Sequence, residues 1–165
     1  MTRPTCAALT AALVSASLCS APTTWAGPAG QVWNGQYAFT RYLEQKTGTS
    51  LAAGQPEDNS TDVYTMSTAC SAAGCVATVI DGPLPKNPTL PPRAHYTWDG
   101  RQWAKVNDWQ WDCLRPDGSV EWDQARSWAN YQPQPDGTLL GTWHNEIYTG
   151  TCRGTVDVKV AASPV

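Results

Sequence analysis

The chain has 165 residues, a length that suits one domain, and its 11 Lys and Arg against 14 Asp and Glu give a formal charge of −3 at pH 7. A weakly acidic chain with scattered cations has no electrostatic footprint for nucleic acid or anionic lipid, so neither is expected as a partner. Nine Trp against one Phe mean that indole must supply much of any core.

Met1-Thr2-Arg3-Pro4 carries one positive charge, and Cys6 to Ala21 is an uncharged run of apolar and small residues. Thr24-Trp25-Ala26 then offers small residues at the two positions a signal peptidase reads, so residues 1–26 are expected to be a signal peptide and 27–165 a single secreted domain. The apolar run is too short and too rich in Ser and Thr for a membrane span of about 20 apolar residues, and no transmembrane segment is expected after signal removal. Leu18 before Cys19 departs from the lipobox pattern, which argues against a lipid anchor. Loss of Arg3 with the signal takes the formal charge from −3 to −4. Cys70, Cys75, Cys113 and Cys152 stay behind, an even number suited to disulfides in an oxidising, extracytoplasmic compartment.

Val32 to Tyr42 alternates as a first strand, with Trp33, Tyr37 and Phe39 on one side. Residues 43–62 read as a long polar loop with one helical turn. Val63 to Cys70 and Cys75 to Asp81 form a hairpin closed by Ser71-Ala72-Ala73-Gly74, and the five prolines of residues 82–93 predict an extended crossover. "WDGR" at Trp98 to Arg101 predicts a two-residue hairpin loop pairing Trp98 with Arg101 and Tyr96 with Trp103. "RPDG" at Arg115 to Gly118 and "QPDG" at Gln134 to Gly137 each place Pro where its fixed φ starts a turn and Gly where φ can become positive. Val156, Val158 and Val160 alternate with Asp157 and Lys159 in a last half-buried strand. The sum is an all-β, antiparallel up-and-down meander of about eight strands, closing into a small lipocalin-like (calycin-like) barrel. In such a meander Cys113 and Cys152 lie at one end and Cys70 and Cys75 at the other, so 70–75 and 113–152 are the expected disulfides.

Candidate chemistry is sparse. No nucleophile elbow, zinc-protease helix, phosphate loop or dinucleotide fingerprint occurs, and neither a catalytic residue, a metal site nor a cofactor is expected. Asp108 and Asp112 share a strand face but stand four residues apart, too far at about 3.3 Å per residue for a retaining glycosidase pair. His144 and Glu146, two apart in "TWHNEIY", are a possible acid/base couple. Trp109, Trp111, Trp122 and Trp128 are nominated as ligand-contacting residues, because a sheet with aromatics on both faces cannot bury all of them. Within residues 121–131, Trp122 and Trp128 share a face with Gln124 and Arg126, while Ala125, Ser127 and Ala129 take the other. Either the small face borders a cavity, or the Trp face packs with Arg as a lid.

The succession "GQYAF", "YTMSTACSAAGCVATV", "WDGRQW", a Cys, "QPDGTLLGTW" and a final Cys before a Val-rich strand resembles small exported actinobacterial, chiefly mycobacterial, proteins. It is also similar to extracytoplasmic modules of some bacterial serine/threonine kinases. The resemblance implies export, one β-domain and paired cysteines, and carries no activity onto any residue; with no kinase segment in these residues, a signalling role is not implied. A non-catalytic module that binds a small molecule, a glycan or an envelope protein is therefore expected. The alternatives are a hydrolase using a carboxylate/His site and a structural or inhibitory envelope protein.

Overall fold

A computed structural model describes residues 32–165, so the expected signal segment, with Cys6 and Cys19, lies outside the described residues. Eight strands follow one another: β1 (Gly35–Thr47), β2 (Ser60–Ser71), β3 (Gly74–Asp81), β4 (His95–Trp98), β5 (Trp103–Leu114), β6 (Val120–Pro133), β7 (Leu139–Ile147) and β8 (Gly154–Pro164). Each pairs antiparallel with its sequence neighbour, and β1 closes on β8 with Phe39 opposite Ala162 and Arg41 opposite Val160. The result is a closed up-and-down barrel.

The turns explain why the chain meanders. At Arg115 to Ser119 the Arg115 N–H donates to the Ser119 carbonyl at 2.8 Å and the Gly118 N–H to the Arg115 carbonyl at 2.9 Å, with Gly118 at φ +83°. Gln134 to Thr138 repeats this with Gly137 at φ +85°. Both are type I turns followed by a left-handed glycine, a hairpin connection that matches strand twist.

The hairpin at Asp99-Gly100 differs from expectation. Trp98 pairs with Trp103, not Arg101, across a four-residue loop, 99–102. A two-residue type I′ loop needs positive φ at both central residues, and only Gly100 adopts it. Asp99 instead accepts the Arg101 and Gln102 N–H groups on Oδ1, both at 2.9 Å, which stabilises the wider loop. The register places Lys105, not Trp103, beside Tyr96. The first strand also runs on to Thr47, further than its alternation suggests, and one 3-10 turn, Leu51–Gly54, lies in the expected loop.

Both ends of the barrel are stoppered. Trp33, immediately before β1, is 1% exposed and packs within 6.1 Å of Tyr37, Phe39, Tyr96, Trp103 and Tyr131. Its backbone N–H and carbonyl are both held by the Thr68 hydroxyl, and the Cys70–Cys75 disulfide closes the β2–β3 hairpin at that end. At the opposite end the Cys113–Cys152 disulfide ties β5 to the β7–β8 loop, and Ser50 Oγ donates to the Cys152 carbonyl at 2.5 Å. Both bridges are those expected from strand order.

Candidate functional site

The four nominated tryptophans do not form one surface. In β5 the inward positions are Trp103, Lys105, Asn107, Trp109, Trp111 and Cys113, and in β6 they are Asp123, Ala125, Ser127, Ala129 and Tyr131. Trp109 is therefore buried and Trp111 half-buried inside the barrel, both packed with Trp143. Trp122 and Trp128 stand outside, where Arg126 lies 5.7 Å from the Trp128 ring centre and pairs with Asp108 at 3.5 Å. The small face of β6 is the inward one: Ala125 sits opposite Trp109 and Ala129 opposite Trp143, making room for those indoles. Trp109 is further fixed by a buried polar chain, its Nε1–H donating to Ser127 Oγ at 2.5 Å, Ser127 to Asn145 Oδ1 at 2.8 Å, and Asn145 Nδ2 to the Val156 carbonyl at 3.1 Å. That chain makes Trp109 a structural member of the wall.

The His144/Glu146 couple is also on the outer face. His144 Nδ1 bonds Asp157 at 2.6 Å, whereas Glu146 stands 3.6 Å from Nε2. The tightest cluster of metal-type donors among the described residues is Cys113, Asp123 and Cys152, but its sulfurs form a disulfide and offer no thiolate.

The small face of β6 borders an interior cavity of about 130 Å3 through Ala129, one of the two expected arrangements, but sequence reasoning nominated none of its polar wall, which includes Arg41, Tyr64, Tyr96, Lys105, Asn107 and Tyr131. Phe39, Val79, Trp143 and Val160 supply its apolar sides, and Pro83, Pro85, Leu90, Pro91 and Pro92 of the crossover border it. The crossover does this because β4 is only four residues long against twelve in β5 and pairs with it only at Trp103 and Ala104, so the rest of that side of β5 has no strand beside it. Residues 82–94 fill the gap: Asn87 Nδ2 donates to the Gln110 carbonyl at 2.8 Å, the Gln110 N–H donates to Thr89 Oγ1 at 3.0 Å, and the Val79 N–H donates to the Ala94 carbonyl at 3.0 Å. Gly82 starts the crossover hard against Tyr64, whose ring a Cβ at that position would meet at 2.5 Å. The wall beside the cavity is thus loop rather than ladder.

Electrostatically the cavity is positive. Arg41 is bonded to Asp62 and donates from Nε to Ser60 Oγ at 2.9 Å. Lys105 has no such partner; none of the ion pairs among the described residues includes it, and its ammonium lies 5.4 Å from the Tyr96 ring centre. Desolvation, with a smaller contribution from the Arg41 charge, pushes Lys105 down to about 8, so it remains mostly charged at neutral pH. Burial raises Tyr131 well above the ordinary phenol range, and Tyr96 and Tyr64 likewise, so all three hydroxyls keep their protons. The lining contains no carboxylate and no histidine. Such a wall can hold a ligand by ion pairing, hydrogen bonding and apolar contact, and it presents no acid/base pair to it.

A closed, disulfide-stapled barrel with a polar-studded interior cavity is the architecture of a binding module. The PknI serine/threonine-protein kinase sensor domain model matches residues 30–165, and the chain belongs to that family. It is similar to the monomer form of the Mycobacterium tuberculosis PknI sensor domain, with a TM-score of 0.60 and 15% identity over 81% of this chain and 88% of that one. The dimer form of the same domain gives a TM-score of 0.52 at 19% identity, covering 71% and 84%. No curated protein sequence matches the chain. The resemblance to kinase-linked modules is borne out at the level of family, and membership of a sensor-domain family supplies the signalling link that the resemblance alone does not imply.

Proposed function

We propose that the protein is an exported sensing module, residues 27–165 after loss of a signal peptide at 1–26, that binds a small extracytoplasmic molecule inside its barrel. The observation that carries this reading is the cavity of about 130 Å3 in whose wall Lys105 has no ion-pair partner among the described residues. Buried polar groups are ordinarily satisfied, so a wall of this kind suits an occupant that completes it. Family membership supports sensing rather than turnover. The hydrolase alternative loses support because His144 and Glu146 stand on the outer face, away from the cavity. Two disulfides fit an oxidising compartment, and no helix among the described residues is long and apolar enough to cross a membrane.

The test is a tryptophan-fluorescence titration of the exported protein with small envelope-derived molecules, repeated with Ala129→Phe. Trp143 borders the cavity and reports occupancy, and a larger side chain at Ala129 fills it. A response that Ala129→Phe abolishes and Trp122→Ala leaves intact supports the reading. A response lost in Trp122→Ala and kept in Ala129→Phe moves binding to the outer face and refutes it.

A further inference from the structure

We propose that the cavity is selective for a small organic monoanion, a carboxylate carried on an apolar body of about ring size, with Lys105 as its counter-ion. This rests on the cavity being the sensing site and adds the ligand's charge, head group and size.

Charge comes from a count of what faces Lys105. It shares the cavity with Arg41 from β1, Tyr64 from β2, Tyr96 from β4, over whose ring it lies, and Tyr131 from β6, while β7, β8 and the crossover contribute Trp143, Val160 and prolines. No carboxylate lines the cavity, and Asp62, whose charge acts on Tyr64, is bonded to Arg41. One positive charge is therefore left unmatched, at Lys105, and an ammonium in a desolvated wall gains most from a single negative charge brought to it. The lowered proton affinity of Lys105 has the same origin and should reverse when an anion arrives.

The head group follows from the donors. Tyr96 and Tyr131 are neutral phenols and Asn107 has an amide, so a carboxylate could accept from these as well as from Lys105. A phosphate dianion would bring a second charge for which the wall has no free cation. Size follows from the volume: about 130 Å3 is close to the roughly 150 Å3 apolar cavity that accepts one benzene ring. Phe39, Val79, Trp143 and Val160 supply the apolar surface for such a ring.

Benzoate, its neutral isostere benzyl alcohol and phenyl phosphate are the probes, followed by calorimetry and by NMR of the Lys105 side chain. Charge-assisted hydrogen bonding predicts benzoate binding about ten- to a hundredfold more tightly than benzyl alcohol at pH 7, with phenyl phosphate weaker than benzoate. Lys105→Met should erase that preference, weakening benzoate far more than benzyl alcohol. In the unsubstituted protein, benzoate should raise the Lys105 titration midpoint, and its affinity should fall as pH rises past the free-state midpoint near 8 and level off above the bound-state one, with benzyl alcohol changing far less across the range. Equal binding of benzoate and benzyl alcohol, a preference surviving in Lys105→Met, or tighter binding of phenyl phosphate overturns the monoanion assignment and leaves the cavity as a site. If no probe perturbs Lys105 or Trp143 at any pH, the cavity reading falls as well.

Discussion

Replacing Trp33 separates the two things that indole does. Its ring fills the end of the barrel at 1% exposure, and its Nε1–H is buried without a hydrogen-bond partner among the described residues. Trp33→Ala removes about 150–250 Å2 of buried ring surface, which at about 25 cal/mol/Å2 is roughly 4–6 kcal/mol, an upper bound beside the 3–5 kcal/mol usual for such truncations. Trp33→Phe keeps most of the ring and deletes the orphan donor. The lost area costs about 1–2 kcal/mol, and relief of an unsatisfied buried N–H returns about 1–3 kcal/mol, so the net runs from about 1 kcal/mol of loss to about 2 kcal/mol of gain. Trp109→Phe is the control, because there the Nε1–H donates to Ser127 and the substitution breaks the chain to Asn145, costing about 2–3 kcal/mol. Urea unfolding with disulfides intact and unchanged m-values measures all three. Trp33→Phe as costly as Trp109→Phe would refute the reasoning, since it would mean the orphan donor carries no penalty.

Three further outcomes follow from the geometry. The Cys113–Cys152 bridge closes 39 residues and Cys70–Cys75 only 5, so by loop entropy their paired Cys→Ala variants lose about 4 and about 2 kcal/mol, an ordering that chemical denaturation checks. His144 is held above its usual value first by the hydrogen bond to Asp157, and its raised folded value gives stability that is full below the unfolded value near 6.5 and fades as pH rises through the folded one. Imidazole NMR should show Asp157→Asn lowering the midpoint by more than Glu146→Gln does, since the Asp157 contact is the shorter. Gly150, at φ +65°, would drive an alanine Cβ to 1.6 Å from Asp123 Oδ1, so Gly150→Ala costs about 3 kcal/mol in thermal unfolding from backbone strain and overpacking together.

How much of this was legible depends on how local each signal is. The Arg115 and Gln134 turns carry their conformation in four residues, and the barrel order and disulfide pairing follow from counting them. The Asp99 hairpin carries the same dipeptide signal, but its loop length is decided by Asp99 capping two N–H groups and by the burial of Trp103, which composition does not rank. The extension of β1 to Thr47 depends on partners far along the chain: Glu44 donates its N–H to Asn59, Lys46 pairs with Glu57, and Thr47 lies opposite Asp157. The four-tryptophan nomination conflicts with a register the sequence already contained. Once the Arg115 turn sets Asp112 opposite Trp122, Trp109 and Trp111 must face the other way from Trp122 and Trp128.

The cavity had a signal of its own, visible as charge on the wrong parity. Along "WAKVNDWQWDC" the positions that share a face with Trp103, Trp109 and Cys113 include Lys105 and Asn107, and in the first strand Arg41 falls between Phe39 and Leu43. A strand face that buries indole on either side of a lysine must satisfy that lysine or keep space beside it, since an unpaired ammonium in an apolar interior is among the costliest groups a fold can hold. Arg41 meets the demand with Asp62; Lys105 meets it by facing a cavity. In a small barrel with both ends stoppered, such space is expected where the wall is least regular, beside the short β4, and there the crossover prolines and the two inward cations line the same void.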